Sequence, residues 1–283
     1  MNIVVCVKQV PDTTEVKIDP ETNNLVREGV PSVINPYDAC ALEAALRIKE
    51  KTGGRVTAVS MGPPQAKEVL EYAVGMGADE GVLLTDRKLS GSDTLATGYA
   101  LSEAVRGLEP HLVLCGSEAV DGSTGQVGPI IAERLGYPQF TYVERFEILD
   151  NGEILVYRDL KVNYEILSTK LPAVVCVLKS YYTPRKSCGK KAGVMVLDAA
   201  AAGMDDARIG IAGSPTRVAD INVSSKSTLN YVVIDSKLPA KERIRMIVNG
   251  GMEPKKINLT RGRAEDMAGV ICRDEAFARN AEN

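Results

Sequence analysis

Residues 112–129 constrain this chain more than any other stretch. They read Leu-Val-Leu-Cys-Gly-Ser-Glu-Ala-Val-Asp-Gly-Ser-Thr-Gly-Gln-Val-Gly-Pro. An apolar strand runs into a loop of small residues, and the loop opens a helix. Gly122, Gly125 and Gly128, with the hydroxyls of Ser123 and Thr124, lie where backbone N–H groups point outward. Bare amides at a helix start suit a phosphate. The loop has no lysine, so it is not the phosphate loop of an ATPase. It suits a pyrophosphate that is held and not cleaved, although such a turn serves plain structure equally well.

The rest of the first half repeats the same alternation. Ile3–Val7 is a short apolar run of the kind a buried parallel strand shows. Lys17 to Val26 reads as a hairpin with its turn at Asp19 to Asn24. Asn35-Pro36 starts a helix, with Asn at the N-cap and Pro at the first helical position. That helix reaches Lys51 and ends at Gly53-Gly54. Arg55–Met61 is the next strand, Gln65 to Val74 a helix, Gly81–Leu84 a strand, and Asp93 caps a helix running to Arg106. His111–Cys115 and Gln126–Leu135 complete the series. Strands alternating with helices predict an α/β fold with a parallel sheet, whose ligands sit beyond the carboxyl ends of the strands.

After residue 135 the character changes. Phe140–Leu149, Ile154–Asp159, Asn163–Thr169 and Ala173–Leu178 read as a meander, and from Tyr182 to Ile211 no element is predicted. Lys237 to Arg273 reads as one or two short helices around Asn249-Gly250-Gly251. The expected organisation is an α/β nucleotide-binding domain with a strand meander over 1–180, a loop and linker over 181–236, to which the resemblance described below gives a partner-docking role, and a C-terminal helical arm over 237–283.

Composition narrows the function. No run of 18 apolar residues occurs, and no signal-peptide pattern precedes the first strand, so neither membrane insertion nor export is expected. Six cysteines without a Cys-x-x-Cys pair and a single histidine, His111, argue against a metal site and for a reduced, cytoplasmic compartment. Cys6, Cys40, Cys115 and Cys176 lie in apolar runs and read as core residues; Cys188 and Cys272 have more polar surroundings. Residues 1–150 carry 13 Lys+Arg against 22 Asp+Glu, and residues 151–283 carry 21 against 15. The basic half is interleaved with acids and poor in aromatics, which argues against nucleic acid.

Four strand ends should converge on one crevice. They offer Cys6, Lys8 and Gln9; Met61, Gly62 and Pro63; Asp93 to Thr97; and Gly116 to Gln126. Thr94 and Thr97 share a helix face and suit a second phosphate contact, although Asp93-Thr94 also reads as a plain cap. Two helix starts on one crevice favour a dinucleotide. No catalytic side-chain set is present, so any chemistry belongs to a bound cofactor.

These residues carry a resemblance. Val-Lys-Gln-Val-Pro-Asp (7–12), Ile-Asn-Pro-Tyr-Asp (34–38), Leu-Glu-Ala-Ala-Leu-Arg-Ile-Lys (42–49), Met-Gly-Pro (61–63), Gly-Ala-Asp (77–79) and Asp-Thr-Leu-Ala-Thr (93–97) resemble the electron transfer flavoprotein beta subunit. So do Cys-Gly-Ser-Glu-Ala-Val-Asp-Gly (115–122), Gly-Gln-Val-Gly-Pro (125–129) and Lys-Leu-Pro-Ala-Val-Val (170–175). The resemblance covers roughly residues 1–180 and implies a parallel-sheet domain of the adenine-nucleotide alpha-hydrolase-like type. It implies pairing with an alpha subunit that carries one FAD in a mobile domain.

Ordinary members hold AMP in the beta subunit; the electron-bifurcating branch holds a second FAD there, reduced by NADH. The hydroxyls of 93–97 and the open loop 121–129 look like the bifurcating branch. The expected function is then to accept electrons from NADH and divide them between ferredoxin and, through the alpha FAD, a flavin-dependent dehydrogenase of acyl-CoA or 2-hydroxy acid type. The alternatives are a beta subunit with structural AMP serving an acyl-CoA dehydrogenase, and a stress-type nucleotide-binding domain without redox work.

By similarity, nucleotide contact falls on Cys6, Lys8, Asn35, Asp38, Met61, Gly62, Thr94, Thr97, Gly116, Ala119, Asp121, Gly122, Gly125, Gln126 and Val127. The chain departs from the family at Thr183 to Lys191, where no Leu or Ile offers the apolar anchor that docks a dehydrogenase. Its tail is also long. The segment 239–248 is amphipathic, with Ile244, Ile247 and Val248 on one face, and reads either as a helix packed on its own domain or as an arm over a partner.

Overall fold

The computed structural model describes residues 1–12, 17–18, 25–26, 32–189, 193–216 and 238–248. The first elements are β1 (Asn2–Cys6), β2 (Gln9–Pro11), β3 (Lys17–Ile18), β4 (Leu25–Val26), β5 (Ser32–Ile34) and α1 (Pro36–Thr52). Then come β6 (Arg55–Met61), α2 (Lys67–Met76), β7 (Glu80–Leu84), α3 (Thr94–Arg106), β8 (Leu112–Gly116) and α4 (Val127–Leu135). The last are β9 (Gln139–Ile148), β10 (Glu153–Asp159), β11 (Tyr164–Lys170), β12 (Ala173–Val177), β13 (Val194–Leu197) and α5 (Ala240–Val248). The chain divides into a compact unit over Met1–Ile221 and a second over Asn222–Asn283.

Among the described residues, nine strands form one sheet in the order β11-β10-β9-β12-β8-β1-β6-β7-β13. The seven strands from β9 to β13 in that order run parallel, and β10 and β11 add an antiparallel margin. Side chains alternate across the sheet. Ile3 and Val5 join Leu42 and Leu46 of α1 and Leu70 and Ala73 of α2 on one face. Val4 and Cys6 join Leu101 and Val105 of α3 and Ile131 and Ala132 of α4 on the other. The central strands are thus buried on both faces and need apolar residues at every position, which β8 and β12 supply.

The first half follows the reading from sequence closely. Asp93 caps α3 through Leu95 N at 2.9 Å and Ala96 N at 3.0 Å. Gly53 and Gly136 end α1 and α4 in the left-handed conformation. Lys17–Val26 and Ile18–Leu25 pair as the hairpin ends, whose turn lies outside the described residues.

Two expectations change. The meander stops at β11; β12 turns back and enters the sheet between β8 and β9, parallel to both. Its run Ala-Val-Val-Cys-Val does not alternate, as an outer strand facing water would, and all five residues are buried. Within the stretch expected to lack elements, Val194–Leu197 forms β13 and pairs in parallel with β7. The chain beyond it packs Ala199 and Ile209 on Leu84, Leu89 and Tyr99. In the second unit α5 lies within the stretch 237–273 expected to hold one or two short helices; residues 249–283 lie outside the described residues.

Candidate functional site

The carboxyl ends of β1, β6 and β8 open onto a cavity of roughly 680 Å³, walled by the starts of α3 and α4 and the loop between β8 and α4. Helix starts belong beside these strand ends in a right-handed parallel sheet.

Asp38 ties the rim together. It sits in the first turn of α1, yet its carboxylate accepts from Lys8 N at 2.8 Å and Gly116 N at 3.0 Å. One buried side chain therefore joins the ends of two neighbouring strands. Burial pushes Asp38 up to about 7, against the pull of its hydrogen bonds with Asn35 and these amides. Gly116 has to be glycine here, because a Cβ would strike Asp38 and lie 2.6 Å from Tyr37 Cβ.

Asn35 holds the N-cap position of α1, and its carbonyl accepts from Ala39 N at 3.0 Å. Its side chain does not cap the helix. It is fully buried, donates from Nδ2 to Glu118 O at 2.8 Å and accepts at Oδ1 from Val120 N at 3.2 Å. The buried amide thus serves the backbone of a part-buried loop instead of its own helix. Tyr37 adds a hydrogen bond to Glu118 Oε1 at 3.0 Å.

The loop is thereby held in a shape that uses left-handed backbone at Ser123 (φ 49°) and Gly125 (φ 62°). Nothing lies within 4 Å of where a Cβ on Gly122 would be, so the backbone there is open to a ligand. Lys8 Nζ reaches the loop and pairs with both oxygens of Asp121, at 2.8 and 2.7 Å. Thr94 Oγ1 donates to Gln126 Oε1 at 2.7 Å, linking the starts of α3 and α4.

The floor is neutral. Val59 and Leu101 line it with Cys6 and Cys115. Cys115 pairs in register with Cys176 on β12, and all three thiols are buried and free. A hydrogen bond with Cys6 and burial push the Cys115 thiol well up, and burial pushes Cys176 up to about 12. Gly128 lets α4 approach this row, since a Cβ would collide with Cys176 Sγ.

Of the residues nominated from sequence, Cys6, Lys8, Asp38, Met61, Thr94, Thr97, Gly116, Ala119, Gly122, Gly125, Gln126 and Val127 line the cavity. Asn35, Gly62 and Asp121 do not line it. Asn35 clamps the loop, Gly62 N donates to Leu84 O at 3.1 Å, and Asp121 pairs with Lys8. Val59, Ser92 and Leu101 also line it and were not singled out from sequence, whereas Glu118 falls within the stretch Gly116 to Gln126 offered there. For Leu101 a signal existed: it lies one turn beyond Thr97 on the same helix face. Amides, hydroxyls and one ammonium above a neutral floor make a donor set for phosphate and a bed for a flat ring. No nucleophile–base pair was identified among the cavity-lining residues.

The departing stretch after β12 lies on α1. Arg185 donates from Nε to Glu43 Oε2 at 2.8 Å and from Nη1 to Glu50 Oε1 at 2.5 Å. Burial pushes Glu43 up, but Arg185 and Arg47 hold it below the usual carboxylate range. Cys188, which is exposed, donates its N–H to Gly75 O at 2.8 Å.

The family model described as electron transfer flavoprotein domain matches residues 22–202. Electron transfer flavoprotein subunit beta of Clostridium acetobutylicum is 47% identical over 260 residues, 88% of this chain and 97% of that protein. The protein of the same name from Thermoanaerobacterium thermosaccharolyticum is 49% identical over 225 residues, 77% of this chain and 86% of its own. Caffeyl-CoA reductase-Etf complex subunit CarD of Acetobacterium woodii is 50% identical over 187 residues, 65% of this chain and 71% of its own.

Proposed function

The chain belongs to the electron transfer flavoprotein family as a beta subunit, and from that premise we propose that it is the FAD-holding beta subunit of an electron-bifurcating heterodimer. Beta subunits of this family act in electron transfer and pair with an alpha subunit; the family holds FAD and AMP. In the proposed reaction electrons enter from NADH, and one goes to ferredoxin while the other goes through the alpha-subunit FAD to a dehydrogenase. FAD held in the beta cavity by Lys8, Thr94, Thr97 and the loop backbone at Gly122 and Gly125 would supply hydride acceptance and the one-electron steps that separate the pair.

One observation carries the choice of a dinucleotide. Two helix starts, α3 and α4, meet on a single cavity of roughly 680 Å³ and are joined by Thr94 and Gln126. The α4 start has no side-chain cap and presents amides to an anion. At the α3 start Asp93 already takes Leu95 N and Ala96 N, so α3 contributes the hydroxyls of Thr94 and Thr97. Together they suit a pyrophosphate. Lys8 adds a cation at the loop, with Asp121 orienting its ammonium. Asp38 ties the ends of β1 and β8 together, and the thiol floor would keep water from beneath the ligand.

The reading extends to partners. The relative from Acetobacterium woodii is named for a complex with a caffeyl-CoA reductase, which favours a partner acting on a CoA thioester over one acting on a 2-hydroxy acid. The arm over 237–283 would then contact the alpha subunit or that partner. Among the described residues no helix is long and apolar enough to cross a membrane, and four buried free thiols suit a reducing, cytoplasmic setting.

Acid extraction and chromatography of nucleotides from the purified heterodimer test the proposal. Two FAD and no AMP per heterodimer are expected. One FAD with one AMP overturns it and leaves a non-bifurcating subunit with structural AMP.

A further inference from the structure

A second cavity, of roughly 350 Å³, opens on another flank of α3. Leu95 and Tyr99 wall it, whereas Thr94, Thr97 and Leu101 of the same helix face the first cavity. Arg134 of α4 and the segment from Ala207 to Pro215 complete it.

Its chemistry is set by two guanidinium groups on one ring. Arg134 Cζ lies 4.5 Å from the Tyr99 ring centroid and Arg208 Cζ lies 4.3 Å from it. Tyr99 is buried, and its hydroxyl accepts from Asp205 N at 3.0 Å, so the ring is a fixed platform. Contact with an aromatic face engages a guanidinium through its charge and leaves the N–H edge available. Arg134 donates from Nε to Ser102 Oγ at 3.2 Å and from Nη2 to Glu103 Oε1 at 3.4 Å. Among the described residues its Nη1 has no acceptor, and the Arg208 guanidinium has neither a hydrogen-bond nor an ion-pair partner.

Of the neighbouring acids, Glu103 is shared between Arg134 and Arg106, and the other two are committed elsewhere. Glu103 also pairs with Arg106 at 3.7 Å, Asp205 accepts from Ala207 N at 2.9 Å, and Asp206 pairs with Lys88 at 2.6 Å. Two cations with unused planar donors therefore share a small cavity whose remaining lining includes the apolar Leu95, Ala212 and Pro215 beside Ser214. Guanidinium forks match the oxygens of phosphate and carboxylate.

We infer that this cavity binds a compact organic dianion, a phosphomonoester or a dicarboxylate, at a site separate from the nucleotide cavity. The volume lies at the lower end of the range for small-molecule sites and suits a metabolite of a few carbons. The aliphatic body lies on Leu95 and Pro215 while the charged groups meet Arg134 and Arg208.

Titration calorimetry on the purified full chain, with glycerol 3-phosphate, succinate and neutral glycerol as probes, tests this. At least one dianion binds saturably and glycerol does not; which of the two binds identifies the source of the charge. Arg208 is exposed, so Arg208→Gln folds as the parent does, with unchanged melting, and weakens binding about ten- to a hundredfold. Arg134→Gln has a similar effect, and Lys170→Gln on the edge strand β11 has none. Binding that survives Arg208→Gln unchanged, or the absence of binding by either dianion at millimolar concentration, overturns the inference. Neither result depends on which nucleotide the first cavity holds.

Discussion

Asp38 spends both carboxylate oxygens on backbone amides of two different strands, inside the protein, where its charge is poorly solvated. Its folded-state value of about 7 lies above the ordinary 3.8, so the folded chain keeps a proton that the unfolded chain has lost. The contribution to stability is fully present below about 3.8 and falls as pH rises through about 7. Asp38→Asn removes this titration, so the difference in melting between pH 5 and pH 8 should shrink in thermal scans. It also leaves one of two amides without an acceptor, at a cost of about 1–3 kcal/mol. Thr94 and Thr97 bear instead on the ligand. If FAD occupies the cavity, with the Thr94 hydroxyl turned from Gln126 to a phosphate beside Thr97, replacing both by Val removes two hydroxyl contacts, each worth about 1.5–3 kcal/mol. Roughly a hundredfold or greater loss of affinity follows at 1.4 kcal/mol per decade. The alpha-subunit FAD stays bound, so flavin counts before and after extensive dialysis of the heterodimer check the outcome.

Helices α3 and α4 approach closely because Gly98 faces Ile130: a Cβ at Gly98 would lie 2.8 Å from Ile130 Cβ. Gly98→Val should force the helices apart, destabilise by about 1–3 kcal/mol and lower the melting temperature. Adding Ile130→Ala should return part of that loss, and a double-mutant melting cycle separates the two effects. The helices and most strands of the parallel core were legible in sequence, because their signals are local: Asp93 as a cap, Pro36 at a helix start, Gly53 and Gly136 as stops. What escaped was pairing across distance. The run Ala-Val-Val-Cys-Val carried the mark of a doubly buried strand, yet its place between β8 and β9 depends on residues far away in sequence. The four residues of β13 are too few for periodicity to register. At the site, the glycines and hydroxyls could be read off the chain. The diversion of the Asn35 side chain to the loop could not, since its partners lie 83 and 85 residues away. Nor could the ion pair of Lys8 with Asp121, 113 residues apart.

At the scale of the molecule, the formal charge of −3 conceals an acidic first half, which holds all the residues of the candidate nucleotide site, and a basic second half. The order of strands in the sheet also departs from their order in the chain. Through residue 136 only β8, β1, β6 and β7 of the parallel core exist, and both outer strands of that set are apolar. The strand that covers β8 is β12, and the strand that covers β7 is β13; both come from later residues. A polypeptide emerging from the ribosome therefore carries two open, sticky borders until about residue 177 has been made and one until about residue 197, a period of several seconds at roughly 5–20 residues per second. Synthesis itself thus creates a window in which this subunit depends on a chaperone or on speed. A chain released at residue 170 should self-associate, and one released at residue 216 should stay dispersed, as sedimentation of the two translation products would report; equal solubility would mean that the borders protect themselves.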